Sequence, residues 1–382
     1  MASEKQNNGI FLPGPSRAPG RLAYLDDLRA LATVFVICAH TVSLAQTFLP
    51  PGSTVYRVLD ISELAFLPSN QLFIMISGAL LLPVTHEKIS TFFLKRCSKV
   101  VLPLVVYYIL YVCAKEGLVW LRPDHWYPLF LRILCGEPVE APHFWLVYAI
   151  FRLYLLTPFF RWILRRIPDA VLAGVVFVFF AINTVYLYAP ASWWGWTRHL
   201  EPVVNSLAGA FLLGYFLSGS DRVSDGNIGR KASWVYPAEN ILIAAGALAF
   251  FWFSFLILNT ETYIRHFHQG EPLVLLSAAA IFLLVRRAEE GRREKNTLPA
   301  ITVPVRLLSR YSFSILLIHW GVLHYVVKQV LRVDVLSGGI VGGCLLTSAL
   351  TLVISAAGAV IVEHMLILPL QKLLFKISSR AR

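Results

Sequence analysis

Long apolar stretches recur along the whole of this 382-residue chain. Windows of about 20 apolar residues, the length that crosses the hydrocarbon core of a bilayer as a helix, predict ten transmembrane spans. They lie at roughly 28–48, 64–83, 99–118, 144–162, 169–189, 203–219, 241–259, 271–287, 307–328 and 338–362. Only 15% of the residues are charged, against about a quarter in soluble domains. The sequence therefore predicts an all-α, polytopic integral membrane protein.

The positive charges are distributed unevenly among the connections between these spans. With the N-terminus placed in the cytoplasm, 24 of the 34 Lys and Arg residues fall in the even-numbered connections and the two tails, and 8 fall in the odd-numbered ones. A bias of this kind marks the cytoplasmic side of membrane proteins, so we expect both termini to be cytoplasmic. Topology also accounts for the net charge of +12, and no nucleic-acid partner is expected.

The chain is expected to contain one large domain between two short tails. Residues 1–20 contain several prolines and polar residues but no apolar core of a signal peptide, which predicts a flexible cytosolic tail. Residues 21–375 are expected to form the membrane domain, and residues 376–382 a basic cytosolic tail. The five cysteines lack C-x-x-C spacing, so neither a zinc site nor a disulfide framework is predicted.

The first predicted span carries two residues that are rare inside a membrane, Arg29 and His40. They are eleven helical steps apart, so their side chains lie on nearly the same face, ~16 Å apart along the axis. Ionisable residues within a span are costly and usually mark a functional pathway. The alternative interpretation is that Arg29 snorkels to the headgroups while His40 bonds a neighbouring helix.

The separation of these two side chains resembles the length of the pantetheine arm of an acyl-CoA. The coenzyme phosphates would lie at Arg29, near the cytoplasmic surface, and the thioester near His40. A guanidinium binds phosphate oxygens through two parallel hydrogen bonds and stays charged. A neutral imidazole takes a proton from a hydroxyl near pH 7. Asp26 and Asp27 precede the helix and are expected to cap its N–H groups.

A second group of cations lies at the cytoplasmic start of the third span. Its residues run Lys95-Arg96-Cys97-Ser98-Lys99, and the spacing of Arg96 and Lys99 places them on one face of an α-helix. One hypothesis is that they complete the phosphate pocket for the coenzyme. The other is that they satisfy the positive-inside rule and contact anionic lipid.

Five further residues are candidates for contact with an acceptor substrate. His143 and Trp145 lie at the outer start of the fourth span, where interfacial anchoring is the competing interpretation. Arg152 lies within that span and could pair with a carboxylate, snorkel or touch substrate. His319 is intramembrane, and a helix-packing hydrogen bond competes with substrate contact. Ser77 precedes a glycine, a pair that favours close helix approach over nucleophilic attack.

An ordered set of short motifs resembles the acyltransferase 3 family of integral membrane acyltransferases. Arg29 and His40 match its R-x10-H signature, and Arg96 with Lys99 is similar to its basic R-x-x-R element, with lysine in place of the second arginine. The segments that carry the resemblance are Tyr24–Ala32, Phe73–Leu81, Phe92–Lys99 with Pro103, His143–Leu146 with Tyr154–Pro158, Tyr311–His319 and Glu363. The set covers about residues 21–375.

The resemblance implies a ten-helix domain that moves acyl groups, commonly acetyl, from cytoplasmic acyl-CoA to hydroxyls of sugars and polysaccharides. It implies that His40 is catalytic, that Arg29, Arg96 and Lys99 bind the donor, and that acyl-CoA is a substrate rather than a resident cofactor. We expect a glycan or lipid-linked sugar as acceptor, no metal, and a location in a bacterial inner membrane. The alternatives are a glycolipid transporter or flippase, and a noncatalytic membrane sensor.

Overall fold

The computed structural model describes residues 23–83, 87–137, 141–188, 191–204, 207–219, 235–259, 272–294 and 303–380. The predicted tail at residues 1–20 lies outside the described residues. The main helices are α1 (Ala23–Gln46), α2 (Thr54–Phe66), α3 (Pro68–Leu81), α4 (Ile89–Arg96), α5 (Leu102–Glu116), α6 (Trp126–Cys135), α7 (Phe144–Leu164), α8 (Asp169–Tyr188), α9 (Trp194–Thr197), α10 (Glu201–Val204), α11 (Ala208–Leu217), α12 (Val235–Asn259), α13 (Pro272–Glu294), α14 (Val303–Gly321), α15 (Ile340–Val362) and α16 (Leu368–Arg380).

Three π-helical segments interrupt this series of α-helices. We call them π1 (Cys97–Val101), π2 (Val322–Val330) and π3 (Glu363–Ile367). Each one continues an α-helix without a break in the chain, so α4 runs through π1 into α5 and α15 runs through π3 into α16. Short 3₁₀ turns occupy Leu118–Leu121, Pro123–His125, Ala191–Trp193 and Arg198–Leu200. Because π-helical turns are rare overall but frequent at functional sites, these three segments are places where functional residues are expected.

The prediction of an all-α polytopic membrane protein is confirmed, since the described residues form helices and no strand. Within the described ranges, eight helical stretches are long and apolar enough to cross a membrane. The sixth predicted span corresponds to α11, an apolar helix of only ten residues. The eighth corresponds to α13, whose apolar stretch ends at Val285 and is followed by Arg286 and Arg287. Each of the ten predicted spans therefore contains a helix, but these two fall short of the length or composition of a full span.

Close contact between α3 and α11 forms part of the core and depends on two glycines. A Cβ atom on Gly78 of α3 would overlap the carbonyl oxygen of Phe211, and one on Gly214 of α11 would overlap the carbonyl oxygen of Met75. The two backbones therefore touch where a side chain would hold them apart. This contact confirms the expectation that the glycine after Ser77 serves helix packing.

The sequence contains two G-x-x-x-G pairs at the start of α15, Gly338 with Gly342 and Gly339 with Gly343, and this spacing predicts helix-packing contacts for all four. Only one of the four glycines packs in this way. A Cβ on Gly343 would overlap the carbonyl oxygen of Val335, so this glycine is a packing contact. Gly338 and Gly339 precede the helix with φ of +71° and +89°, and a Cβ on either, or on Gly342, would meet open space. The packing prediction is wrong for these three residues, because two of them serve the turn before the helix.

A buried ion pair ties α11, α12 and α13 together. The Arg286 guanidinium donates to the Glu239 carboxylate and to the backbone carbonyl of Leu217. Arg286 is 2% exposed and Glu239 4%. Arg287 adds a second contact to Glu239, at 3.1 Å between Nη2 and Oε2. Removing one member of such a pair is strongly destabilising, because the partner charge stays buried without compensation.

We expect Glu239→Ala to lower the free energy of unfolding by about 3–5 kcal/mol, since it strands the Arg286 guanidinium. The matched control is Glu290→Ala, because the Glu290 side chain also approaches Arg286, at 3.4 Å, but is 38% exposed. An exposed pair contributes about 1 kcal/mol or less. Denaturation of the purified variants in detergent measures both effects, and equal losses would contradict the assignment.

Candidate active site

Three imidazoles meet in the interior of the bundle. The His40 ring of α1 stacks on the His319 ring of α14, with centroids 5.2 Å apart and planes at 26°. The His319 ring in turn lies 4.7 Å from that of His143, at the start of α7. The indole of Trp320 packs edge-on against His40, with centroids 5.0 Å apart. We call His40, His143, His319 and Trp320 the histidine cluster.

Backbone carbonyls fix the tautomers of two of these imidazoles. His319 Nδ1 lies 2.8 Å from the carbonyl oxygen of Leu316, and His143 Nε2 lies 3.2 Å from that of Leu317. A ring nitrogen that faces a carbonyl carries the proton, so the other nitrogen of each neutral ring holds a lone pair. His319 Nε2 and His143 Nδ1 are both buried without a hydrogen-bond partner among the described residues. The cluster therefore presents two acceptor nitrogens.

His40 differs from its two neighbours in exposure and in bonding. His319 is 0% exposed and His143 5%, whereas His40 is only partly buried. Within the described part of the chain, His40 contacts the rings of His319 and Trp320 but bonds neither ring nitrogen to another residue. The ionisable groups that act on it there are the imidazoles of His319, His324 and His143. His40 is thus the least buried of the three clustered imidazoles, and in the described part of the chain its ring nitrogens bond no other residue.

The Tyr111 side chain of α5 supports the cluster from one side. Its hydroxyl donates to the carbonyl oxygen of Leu317, at 3.2 Å, and accepts from the N–H of Gly321, at 2.8 Å. Its ring lies 6.4 Å from that of His143. These bonds hold the backbone on both sides of His319 where α14 passes into π2, so the position of the imidazole is set by α5 as well as by α14.

Arg29 lies near the other end of α1, about 16 Å from His40 by the rise of an α-helix. Its Nη1 is 3.7 Å from Asp26 Oδ1, and its side chain is 32% exposed. Asp26 also accepts from the Ser309 hydroxyl of α14, at 2.7 Å. Asp27 pairs with Arg292 of α13, at 2.6 Å. The helix already runs from Ala23, so the prediction that Asp26 and Asp27 precede it and cap it is wrong. Both acidic residues instead join the first turns of α1 to neighbouring helices.

Arg96 and Lys99 belong to the same end of the bundle as Arg29. Lys99 lies within electrostatic range of Arg96, Lys95 and Arg29, which places the predicted donor-binding cations in one region. The Arg96 guanidinium lies over the rings of Phe92 and Tyr154, at 5.4 and 5.7 Å. Lys99 lies in π1, so the α-helical i, i+3 relation that the sequence suggests does not apply between it and Arg96.

Two residues that sequence reasoning missed, Glu87 and Arg161, belong to this cationic region. Glu87 bonds Lys95 at 2.8 Å and faces Arg161 Nη1 at 3.5 Å. Arg161 is only 6% exposed and donates to the carbonyl oxygen of Leu81 at 2.9 Å. The bond from Lys95 holds the pKa of Glu87 below its ordinary value, so this carboxylate stays ionised among the cations. Lys95 and Arg161 are thereby engaged within the protein.

Glu363 contacts α14 between the levels of Arg29 and His40. Its Oε2 accepts from the Ser314 hydroxyl at 2.8 Å, five residues before His319. Ser314 is 4% exposed, and the hydroxyl of Tyr107 on α5 lies beside it. Glu363 is the first residue of π3 and directly follows the last predicted span. Its bond to Ser314 joins π3 to α14.

The remaining predicted substrate residues, Ser77, Trp145 and Arg152, are not brought into the cluster by any contact among the described residues. The Ser77 hydroxyl donates to the carbonyl oxygen of Phe73 at 3.0 Å. Trp145 is partly buried and packs against the core. Arg152 is exposed, on the face of α7 that also exposes Leu155 and Phe159. The roles proposed for these three remain predictions.

Sequence reasoning also missed Tyr111, Trp320 and His324 as parts of the site. His324 lies in π2, and its ring is 4.2 Å from that of Trp320. Trp320 follows the recognised His319 directly, so an aromatic residue beside an intramembrane histidine was the available signal. No sequence pattern indicated Tyr111, because its partners are backbone atoms more than 200 residues away.

Comparison with known proteins identifies the family. The family model of an acyltransferase domain, acyltransferase 3, matches residues 22–363. The chain belongs to this family, as the motifs predicted, and its helices make it a membrane acyltransferase. No curated protein and no solved structure shows a significant match to the chain.

Proposed function

We propose that this protein transfers an acyl group from cytoplasmic acyl-CoA to a hydroxyl of a cell-surface polysaccharide or lipid-linked glycan, and that this acyl group is acetyl. The single observation that carries the proposal is the arrangement along α1, where a cationic region and a reachable imidazole are separated by about three helical turns. The family supplies the reaction class, acyl transfer. The donor, the acceptor and a location in a bacterial inner membrane are part of the proposal.

The donor side of the proposal rests on Arg29, Arg96 and Lys99. Their charges repel one another, and a polyanion such as the phosphates of a coenzyme relieves that repulsion. Lys95 and Arg161 already share Glu87, at 2.8 and 3.5 Å. Arg29 approaches Asp26 at the longer distance of 3.7 Å, and we propose it as a donor contact with Arg96 and Lys99 because these three match the basic motifs of the family. Lysine contributes a point charge rather than a planar fork, so Lys99 provides attraction and the two arginines provide geometry.

The chemical step assigned to His40 is general-base catalysis. The imidazole takes the proton of the acceptor hydroxyl as the hydroxyl oxygen bonds to the thioester carbon. The carbon–sulfur bond breaks, and the proton passes to the departing thiolate, so the products are the ester and free coenzyme A. A covalent acyl-histidine step gives the same products. His143, Trp145, Arg152, His319 and Ser77 remain the proposed contacts of the acceptor.

Transfer of label from radiolabelled acetyl-CoA tests the function directly. Membranes from cells that express the protein are compared with membranes from cells that lack it, and the glycan and lipid fractions are counted. We expect label in the glycan fraction only when the protein is present. Release of coenzyme A without labelled product would contradict the proposal, because the thioester would then be hydrolysed rather than transferred. Movement of glycolipid without acetyl-CoA consumption would also contradict it and would favour a transporter.

We expect Arg29→Ala to raise the KM for acetyl-CoA by about tenfold, the effect of losing a charge-assisted contact of about 1.4 kcal/mol. The kcat should change little, because the contact is present in the ground state and the transition state alike. Arg29→Lys should recover part of the loss, since it keeps the charge without the fork. A fall in kcat at unchanged KM would show that Arg29 does not bind the donor.

A further inference from the structure

Two buried nitrogens in the histidine cluster have no role in the general-base step assigned to His40. They are His319 Nε2 and His143 Nδ1, both without a hydrogen-bond partner among the described residues. A buried polar atom without a partner is costly and uncommon in native proteins, so each is expected to be used at some stage of function. The His319 nitrogen belongs to the ring that stacks on His40.

A histidine that acts as a base needs a group to stabilise its charged form. When His40 takes a proton, both of its ring nitrogens become donors, and one of them faces the reactants. In triads of this kind a buried carboxylate usually accepts the second N–H and orients the ring. The ionisable groups that act on His40 in the described part of the chain are the imidazoles of His319, His324 and His143. Among these, the ring of His319 stacks directly on His40 and has a nitrogen without a hydrogen-bond partner.

His319 meets the requirements for this acceptor. Its Nδ1–H is committed to the carbonyl oxygen of Leu316, at 2.8 Å, so its lone pair is at Nε2. The backbone around it is held by the Tyr111 hydroxyl through Leu317 and Gly321. The ring is 0% exposed, so water does not compete for the lone pair. The centroids of the His319 and His40 rings are 5.2 Å apart. At this distance a His40 N–H can bond His319 Nε2 once the His40 ring turns out of the stacked arrangement.

We propose that His319 is a positioning residue that accepts the N–H of His40 through Nε2 and thereby stabilises the imidazolium formed during acyl transfer. The inference rests on the proposed function, since it assigns a partner to the same base. For His319 this role replaces the direct contact with the acceptor proposed above, because here His319 exchanges no bond with substrate. The proton that His40 removes from the hydroxyl passes to the thiolate of the departing coenzyme, and His319 holds only the second N–H of the ring.

Exchange of His319 for glutamine and for asparagine separates this role from a structural one. The amide oxygen of glutamine reaches about the position of Nε2, whereas asparagine reaches that of Nδ1 and preserves the bond to Leu316. We expect His319→Gln to keep kcat within about tenfold of the wild type and His319→Asn to lower it about 100-fold, the usual range for a base that has lost its orientation. The KM for acetyl-CoA should change less than about twofold in both.

The matched control is His364, which bonds a backbone carbonyl in the same way. Its Nδ1 lies 2.9 Å from the carbonyl oxygen of Val360, but the residue is exposed and outside the histidine cluster. His364→Gln and His364→Asn should both keep wild-type activity. All variants are compared at equal amounts of folded protein in membranes, with radiolabelled acetyl-CoA as donor and the host's own membrane glycans as acceptor.

The outcomes separate this inference from the function on which it depends. A wild-type protein that transfers no label would overturn the proposed function. A wild-type protein that transfers label, with His319→Asn more active than His319→Gln, would show that only the bond to Leu316 matters and would overturn the inference. Failure of both variants to accumulate as folded protein would overturn it too, because His319 would then be a packing residue.

Discussion

His40→Ala is expected to lower acyl transfer at least about 100-fold while the protein still inserts and folds. The expectation follows from the base role proposed for His40, which is the least buried imidazole of the histidine cluster and whose ring nitrogens bond no described residue. The measurement is the initial rate of label transfer from acetyl-CoA at saturating donor. The amount of folded protein is checked by gel filtration in detergent.

His364→Ala is the control for this substitution, because it removes an exposed imidazole elsewhere in the protein. Its activity should match that of the wild type. Donor binding to the His40 variant is measured separately, and we expect the affinity for acetyl-CoA to stay within about threefold, since the proposed phosphate contacts lie at the cations near the other end of α1. Near wild-type turnover of purified His40→Ala protein would show that the base lies elsewhere.

The second large effect concerns the contact between α3 and α11, where Gly214→Leu should abolish accumulation of folded protein. Even a Cβ at this position would overlap the Met75 backbone, so the helices would have to separate. Close approach of small residues is a main source of helix association in membranes. A leucine side chain would push the two backbones apart, and their direct contact would be lost. The yield of monodisperse protein in detergent measures the loss.

Gly342→Leu provides the comparison, because a Cβ at Gly342 of α15 meets nothing within 4 Å. This variant should accumulate like the wild type. The pair isolates the effect of backbone contact from the general effect of placing leucine at a helical glycine. If Gly214→Leu folded and melted like Gly342→Leu, the close packing of α3 on α11 would be wrong.

Local patterns predicted most of the helices, and tertiary contacts explain where they failed. The apolar run before Arg286 looked like a span, but α13 continues through charged residues because Glu239 and Asp27 pair with its arginines. The G-x-x-x-G pattern at Gly338 was not a packing motif, since φ of +71° places that glycine in a turn. Hydrophobicity and spacing carry no information about such partners.

In the candidate site, too, the sequence indicated single residues but not the contacts between them. The sequence singled out His40, His143 and His319 separately, and only the fold shows that α1, α7 and α14 bring their rings together. The sequence placed Arg96 and Lys99 on one face of an α-helix, and only the fold shows that Lys99 lies in π1 and that Arg29 belongs to the same cationic region. Tyr111 could not be found at all, since its partners are carbonyl and amide groups that every residue possesses.

The burial of His319 and His143 has a consequence for the fate of the acyl group. An activated acyl carbon beside an imidazole is equally open to attack by water, and hydrolysis would waste the donor whenever the acceptor is absent. Two rings with at most 5% of their surface exposed leave solvent little room on their side of His40. In the reaction proposed here, the dryness of this interior would protect the thioester until a hydroxyl of the right shape arrives.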